Sequence, residues 1–228
     1  MKISVFCYGT TEINAKMAYP KGNPEEKIPI SLLFFLIETG KKKILVDAGC
    51  GTMPGFPLYT FCSPVEILEK SGINRTEITD ILLTHTHHDH ADGLRYYPQA
   101  KVYVQENEKD TAFGYAPCFE KVTTFKKSKK IAEGVIIRHI GGHSKGSCIV
   151  EIRMAQKNIV LCGDECYLRD NLLLQKPTGS SVDLEKSRGF VRKYSDAQYE
   201  TVLFHDKAVL SEIGSKLLYT EEEHANIL

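Results

Sequence analysis

Excess charge of either sign is the first thing this 228-residue chain lacks: 29 Lys and Arg stand against 29 Asp and Glu, for a formal net charge of zero. Without a positive long-range field, nothing holds a polyanion by counterion release, so nucleic acid is not an expected partner. Long apolar runs are missing too. The longest, Leu32 to Ile37, is strand-sized and far short of the roughly 20 residues a membrane-spanning helix needs, so no membrane partner is expected. The opening stretch Met1-Lys2-Ile3-Ser4-Val5-Phe6-Cys7-Tyr8 has no sustained apolar segment leading to a small-residue cleavage site, and it reads as a strand. Cysteine is sparse and unpaired in pattern. Cys7, Cys50, Cys62, Cys118, Cys148, Cys162 and Cys166 are an odd, scattered set without a C-x-x-C pair, which excludes a disulfide-stapled module and fits reduced thiols in a cytoplasmic protein.

Several catalytic signatures are absent as well. No G-x-S-x-G elbow exists for a serine hydrolase. Gly49-Cys50-Gly51 lacks the third glycine of a dinucleotide loop, since Pro54 stands in its place, and Gly141 to Ser147 puts Ser147 where a P-loop needs lysine. There is no low-complexity linker and no short repeat, so residues 1–228 are expected to form one domain.

Short apolar or β-branched segments bounded by turn residues predict strands at Ile3 to Tyr8, Ile30 to Glu38, Lys43 to Asp47, Ile78 to Thr84 and Lys101 to Val104. The second half adds Gly134 to Ile140, Ser147 to Ile152, Asn158 to Cys162 and Thr201 to Phe204. One helix is well punctuated: Ser63 as N-cap, Pro64 in the first turn, Glu66 in capping-box position, an end near Lys70 and Gly72 as stop. Asp183 to Tyr194 predicts a second. Strands that outnumber helices yet alternate with them predict an α/β architecture of sheets covered by helices. The lysine-rich Lys126 to Lys130 is read as a solvated hairpin, and Asn23 to Glu26 and Glu221 to Glu223 as solvated turns.

The chemistry concentrates where the strand ending at Thr84 runs into His85-Thr86-His87-His88-Asp89-His90. Alternate residues of an extended chain face the same way, so His85 and His87 can grip one metal. Asp89 and His90, arriving as the chain turns, can address a second, while His88 points away. Imidazole and carboxylate at this density suit zinc, and iron or manganese can fill the same donor set. Later strand ends bring His143, Asp164 and His205. Together these make five histidines and two aspartates, enough for two adjacent sites that share one carboxylate, with Asp164 the choice for the bridge.

The H-x-H-x-D-H run formed by His85, His87, Asp89 and His90, followed in order by His143, Asp164 and His205, closely resembles the metallo-β-lactamase fold superfamily. The resemblance covers nearly the whole chain and implies a four-layer αββα sandwich with the metals at one edge. It implies that His85, His87 and His143 hold the first metal, Asp89, His90 and His205 the second, and that Asp164 bridges. Asp47 resembles the aspartate that hydrogen-bonds the histidine loop. Two metals about 3.5–4 Å apart lower the pKa of water to about 7 and so supply a hydroxide nucleophile for a carbonyl substrate.

Within that superfamily, Asp164-Glu165-Cys166-Tyr167 resembles the Asp-x-x-Tyr of the N-acyl-homoserine lactone lactonases, which implies catalytic roles for Tyr167 as an oxyanion stabiliser and for Asp89 as a proton carrier. The implied partner is a small-molecule lactone, ester or thioester. Class B β-lactamases are exported and commonly carry cysteine at the Asp164 position; glyoxalase II thioesterases add a C-terminal helical domain where only a short tail follows His205. Thr86 and His88 depart from the bulky apolar residues usual in the lactonases. The alternatives are a thioester hydrolase of glyoxalase II type and a non-catalytic metal-dependent sensor of the same fold. Met53, Phe56, Leu58, Tyr59 and Phe61 of the loop Gly49 to Cys62, with Met17 and Tyr19, are candidates to line an acyl pocket. Cys162 and Cys166 are read as packed thiols, and His139 and His224 as ordinary histidines.

Overall fold

The apolar run Leu32 to Ile37 becomes the middle of a strand covered on both faces, which is why it does not alternate with polar residues. A computed structural model describes residues 1–115 and 119–221; Cys118, Glu222, Glu223 and His224 lie outside them. Strands β1 (Lys2–Asn14), β2 (Lys27–Thr39), β3 (Lys42–Val46), β4 (Thr60–Phe61), β5 (Asp80–Leu82), β6 (Lys101–Gln105) and β7 (Val122–Phe125) build the first sheet. A second sheet holds β8 (Ser128–Ala132), β9 (Val135–His139), β10 (Cys148–Arg153), β11 (Asn158–Leu161) and β12 (Tyr199–Val202), after which β13 (Gly214–Thr220) returns to the edge of the first. The order across the first sheet is β13-β1-β2-β3-β5-β6-β7 with β4 on β1, and across the second β12-β11-β10-β9-β8. The helices are α1 (Ala15–Ala18), α2 (Pro64–Lys70), α3 (His88–Ala91), α4 (Lys109–Tyr115), α5 (Arg169–Leu173) and α6 (Leu184–Tyr194).

The period of two along β2 divides its side chains between two cores. Leu33, Phe35 and Ile37 pack with Ile137, Val150 and Ile159 of the second sheet, while Leu32, Phe34 and Leu36 pack with Val65, Ile67 and Leu68 of α2. Each such side chain, fully withdrawn from water, contributes roughly 1.5–3 kcal/mol. Phe190 and Val191 of α6 join the core that the second sheet shares, which completes the helix-sheet-sheet-helix layering. Among the described residues, no helix is long and apolar enough to cross a membrane.

Three expectations change on contact with the structure. β1 runs past Tyr8 to Asn14 because a bulge between Cys7 and Gly9 lets its polar second half keep pairing with β2. Ser63 caps α2 without a side-chain hydrogen bond, so no capping box forms, and Glu66 pairs with Lys70 instead. Lys126 and Lys127 are not a hairpin tip: they carry the chain from β7 in one sheet to β8 in the other, and Lys129 and Lys130 belong to the exposed edge strand β8. Gly72 ends α2 as expected, at φ +82°. Asp183 caps α6, its side chain accepting from Lys186 N.

The parallel strands β3, β5 and β6 and the parallel pair β11 and β12 end at the same rim of the sandwich. Cys148 N donates to Thr84 O at 2.7 Å, and Ser31 N donates to His205 O at 3.1 Å, so the two sheets are tied together where the histidines emerge.

Candidate metal centre

Asp47 follows β3 at φ +62°, a left-handed conformation that a non-glycine residue holds only when its surroundings fix it. They do: its carboxylate accepts from Thr84 N at 2.8 Å, from Thr84 Oγ1 at 2.8 Å and from His90 Nδ1 at 2.7 Å. The start of the histidine loop is therefore fixed by a residue that precedes it by a whole β-α-β passage. The loop then runs extended to His87, which caps the single turn α3, and Tyr8 Oη holds that turn by donating to Asp89 O at 2.8 Å.

This backbone path brings the seven expected residues into two adjoining groups of donor atoms. His85, His87, His143 and Asp164 offer one set of mutually close ligand atoms, and Asp89, His90 and His205 another. Asp164 stands between them. Its Oδ2 lies 3.7 Å from His85 Nε2 and 3.4 Å from His143 Nε2, while its Oδ1 lies 3.1 Å from His90 Nε2 and 3.0 Å from His205 Nε2. His87 closes the first group with Nδ1 2.9 Å from His143 Nε2, and Asp89 Oδ2 approaches His90 Nε2 at 3.5 Å in the second. His88 lies outside both groups, at the cavity wall, with Nε2 3.3 Å from Thr52 Oγ1.

The imidazoles are held by their far nitrogens. His205 Nδ1 meets Ser31 O at 2.9 Å, His90 Nδ1 meets Asp47, His85 Nδ1 lies 3.1 Å from Thr84 Oγ1, and His143 Nδ1 lies 3.4 Å from Ser180 Oγ. Each contact turns Nε2 toward the centre, as metal-binding histidines are commonly oriented. The fit to a cation rests on what faces these inner nitrogens: His85 Nε2 is buried without a hydrogen-bond partner among the described residues, and His90 Nε2 faces carboxylate oxygens of Asp164 and Asp89. A buried polar atom left unpartnered costs about 1–3 kcal/mol, and a metal ion at the centre of the first group would satisfy it.

Burial holds His85 well below the usual imidazole range, with the neighbouring His90 adding to it, and burial pushes His143 down to about 4 despite Asp164. Both are neutral at pH 7, the form that ligates. Burial works against the charge of His90 and His205, but Asp164 and Asp89 hold both imidazoles above their ordinary value. Burial likewise opposes a charged Asp164, yet His90, His205, His85 and His143 keep its carboxyl well below the carboxylate range. The centre is thus a buried carboxylate calling for positive charge.

A cavity of about 310 Å³ opens beside these donors. Met17, Met53 and Phe56 line it as expected, joined by Ile13 and Ile30, which sequence reasoning missed because they sit within long strands. Leu58 packs instead with the α2 core, Tyr59 and Phe61 are exposed, and Tyr19 packs behind the cavity with Met17 and Tyr167. The Tyr167 ring leans on His143 and His205 at 5.9 and 5.3 Å between centroids, and its hydroxyl accepts from Ser180 Oγ at 3.0 Å. Burial holds that hydroxyl protonated, well above the usual phenol range. Cys162 and Cys166 are buried thiols outside either donor group, and His139 Nε2 meets Lys145 O at 2.9 Å. Ser180, Glu108 and Glu165 were not legible beforehand: Ser180 lies in a serine pair that reads as a turn, and neither glutamate belongs to a ligand pattern.

A profile of the Metallo-beta-lactamase superfamily matches residues 33–205. The chain is similar to the N-acyl homoserine lactonase AiiB of Agrobacterium fabrum, 25% identical over 225 residues that cover 79% of this chain and 80% of that protein. It is also similar to an atrochrysone carboxyl ACP thioesterase of Passalora fulva, 24% identical over 194 residues, 81% of this chain and 50% of that protein. Among solved structures, an N-acyl homoserine lactone hydrolase with N-hexanoyl-L-homoserine at its catalytic metal center aligns at a TM-score of 0.80 and 19% identity, over 92% of this chain and 95% of that one. The profile spans well over half of the sequence and includes every residue of both donor groups, so the chain belongs to the metallo-beta-lactamase superfamily and has the fold of its metal-dependent hydrolases.

Proposed function

We propose that residues 1–228 act as one cytoplasmic catalytic domain, a dinuclear zinc hydrolase that opens a lactone or a related ester, with N-acyl-homoserine lactones the first substrates to test. One observation carries this reading: Asp164 presents one oxygen to each of two histidine groups, directly beneath a largely apolar cavity. His85, His87 and His143 would hold the first zinc, Asp89, His90 and His205 the second, and Asp164 both. When bound, zinc supplies Lewis acidity and water activated near neutral pH.

The remaining work falls to the chain's own side chains. Ile13, Met17, Ile30, Met53 and Phe56 bind the apolar part of the substrate and exclude water from the carbonyl. Tyr167 keeps its proton and accepts from Ser180, with Asp164 as the acceptor of its own O–H, and that O–H can turn to the carbonyl oxygen as charge develops there. Asp89 is the most accessible carboxylate of the centre, with 18% of its side chain exposed, and can pass a proton to the leaving oxygen. Similarity to a thioesterase favours a thioester as the second substrate class.

The test is elemental analysis of the purified protein together with hydrolysis of acyl-homoserine lactones, simple lactones and a glutathione thioester. Near two metals per chain, with lactone turnover that chelator and His87→Ala both abolish, is the expected result. Metal-replete protein that binds lactone without opening it would point to a sensor instead.

A further inference from the structure

Thr86 stands between two candidate ligands, and its side chain and backbone are held by one buried carboxylate from the other side of the loop cluster. Glu108 Oε2 accepts from Thr86 N at 3.2 Å and from Thr86 Oγ1. Its Oε1 accepts from Ser144 Oγ at 2.6 Å and from Gly146 N at 3.1 Å. The loop that carries His85 and His87 and the loop that carries His143 thus share a single anchor, and the side chains of neither group reach it directly. The fit is tight: a Cβ on Gly146 would lie 2.5 Å from Glu108 Cγ and 2.8 Å from Gln105 Oε1, so the loop passes Glu108 only as glycine. On the opposite side, Glu165 Oε1 accepts from Gly142 N at 3.1 Å and His143 N at 3.3 Å, and from Ser147 Oγ.

We infer that Glu108 is a positioning residue that sets the spacing of His85, His87 and His143 by clamping Thr86 to Ser144 and Gly146. The inference rests on the two-metal reading above, but not on the identity of the substrate. Four donors meet two oxygens, and two of those donors are backbone N–H groups that cannot reverse their role. A glutamine at this position must turn its NH2 toward one of them. One of the two loops then loses this anchor, keeping only Asp47 on the one side or Glu165 on the other, while the volume of the side chain stays the same. The departure of Thr86 from the usual apolar residue follows from the same contact: its hydroxyl is part of the clamp.

The experiment is zinc titration against a chromogenic chelator for wild type, Glu108→Gln, Thr86→Val and Thr86→Ser, with circular dichroism to establish folding and cobalt(II) absorption to report ligand geometry. In Glu108→Gln the affinity for one of two zinc ions falls roughly 10–100-fold and the cobalt spectrum changes, as expected when a ligand's support is removed. Thr86→Val weakens the same ion, Thr86→Ser restores it, and the double variant Thr86→Val/Glu108→Gln binds no more weakly than Glu108→Gln. Should Glu108→Gln fail to fold, Thr86→Val and Thr86→Ser decide alone, since valine keeps the volume of threonine without the hydroxyl and serine keeps the hydroxyl without the methyl. Folded variants that bind both ions as tightly as wild type overturn the clamp. Wild-type protein that binds two ions yet opens no lactone overturns only the substrate reading, and protein that binds none overturns both.

Discussion

Asp47 and His90 meet at 2.7 Å across the two ends of the β-α-β passage, and the same carboxylate holds Thr84 twice. His90 therefore owes the direction of its inner nitrogen to a residue that ligates nothing. Replacing Asp47 by Asn sets an NH2 against either His90 Nδ1 or Thr84 and breaks one contact without changing volume. On the proposed two-zinc reading, binding at Asp89, His90 and His205 should weaken roughly 10–100-fold, with the other ion retained. Metal stoichiometry after dialysis against graded chelator measures this, and an unchanged second ion would leave Asp47 with a purely structural part.

Much of the centre was legible in the sequence because its chemistry is local. Four histidines within six residues seldom serve anything but a metal, and strand periodicity alone separates His85 and His87 from His88. The choice of Asp164 as the shared carboxylate came from the count of donors, and the resemblance implied the same; in the structure its Oδ2 lies near His143 and its Oδ1 near His205. What stayed hidden depends on packing between distant segments. Glu108 and Ser144 are far apart in sequence and meet only because β6 and the loop before β10 end at one rim. The strand β13 was missed for a similar reason. Leu217 is exposed, Leu218 only partly buried, and the strand's regularity comes from backbone pairing with β1, which leaves little periodic signal to read.

Tyr167 is expected to act late in the reaction rather than in binding. Its hydroxyl stays protonated, accepting from Ser180 with Asp164 as the partner of its own proton, and that proton can pass to a substrate oxygen that gains charge. Tyr167→Phe keeps the ring contacts with His143 and His205 and removes only that donor. With metal content unchanged, kcat should fall on the order of 100-fold while KM moves little. A KM effect without a kcat effect would make Tyr167 a wall of the pocket.

Away from the centre, Glu151 gives a pH dependence with a definite sign. Burial raises its carboxyl, but hydrogen bonds from Arg138 and Tyr194 and the charge of Arg138 outweigh that, so its folded value is lowered. A depressed folded pKa contributes stability above the unfolded value of about 4.3, and that stability is lost as the pH falls through the folded value. Glu151→Gln should cost on the order of 1 kcal/mol at pH 7, since the pair is partly open to solvent. The gap to wild type should close toward pH 3. Urea unfolding of both proteins at the two pH values measures it, and an equal gap at both would remove Glu151 as the source.

The apolar cavity makes the last prediction, because its lining acts on the substrate and leaves the centre alone. Ile13, Met17, Ile30 and Phe56 are apolar, so an acyl chain lying against them gains by burial. Each buried methylene is worth about 0.8 kcal/mol, close to a fourfold gain in binding. Across a series of acyl-homoserine lactones, kcat/KM should therefore climb by about that factor per methylene and then level off when the cavity of about 310 Å³ is filled. Ile13→Phe fills part of the space and should bring the plateau to shorter chains, with kcat on the shortest substrate unchanged. A flat series in wild type would mean that the chain lies outside this cavity, and an Ile13→Phe profile identical to wild type would mean that the acyl group enters elsewhere.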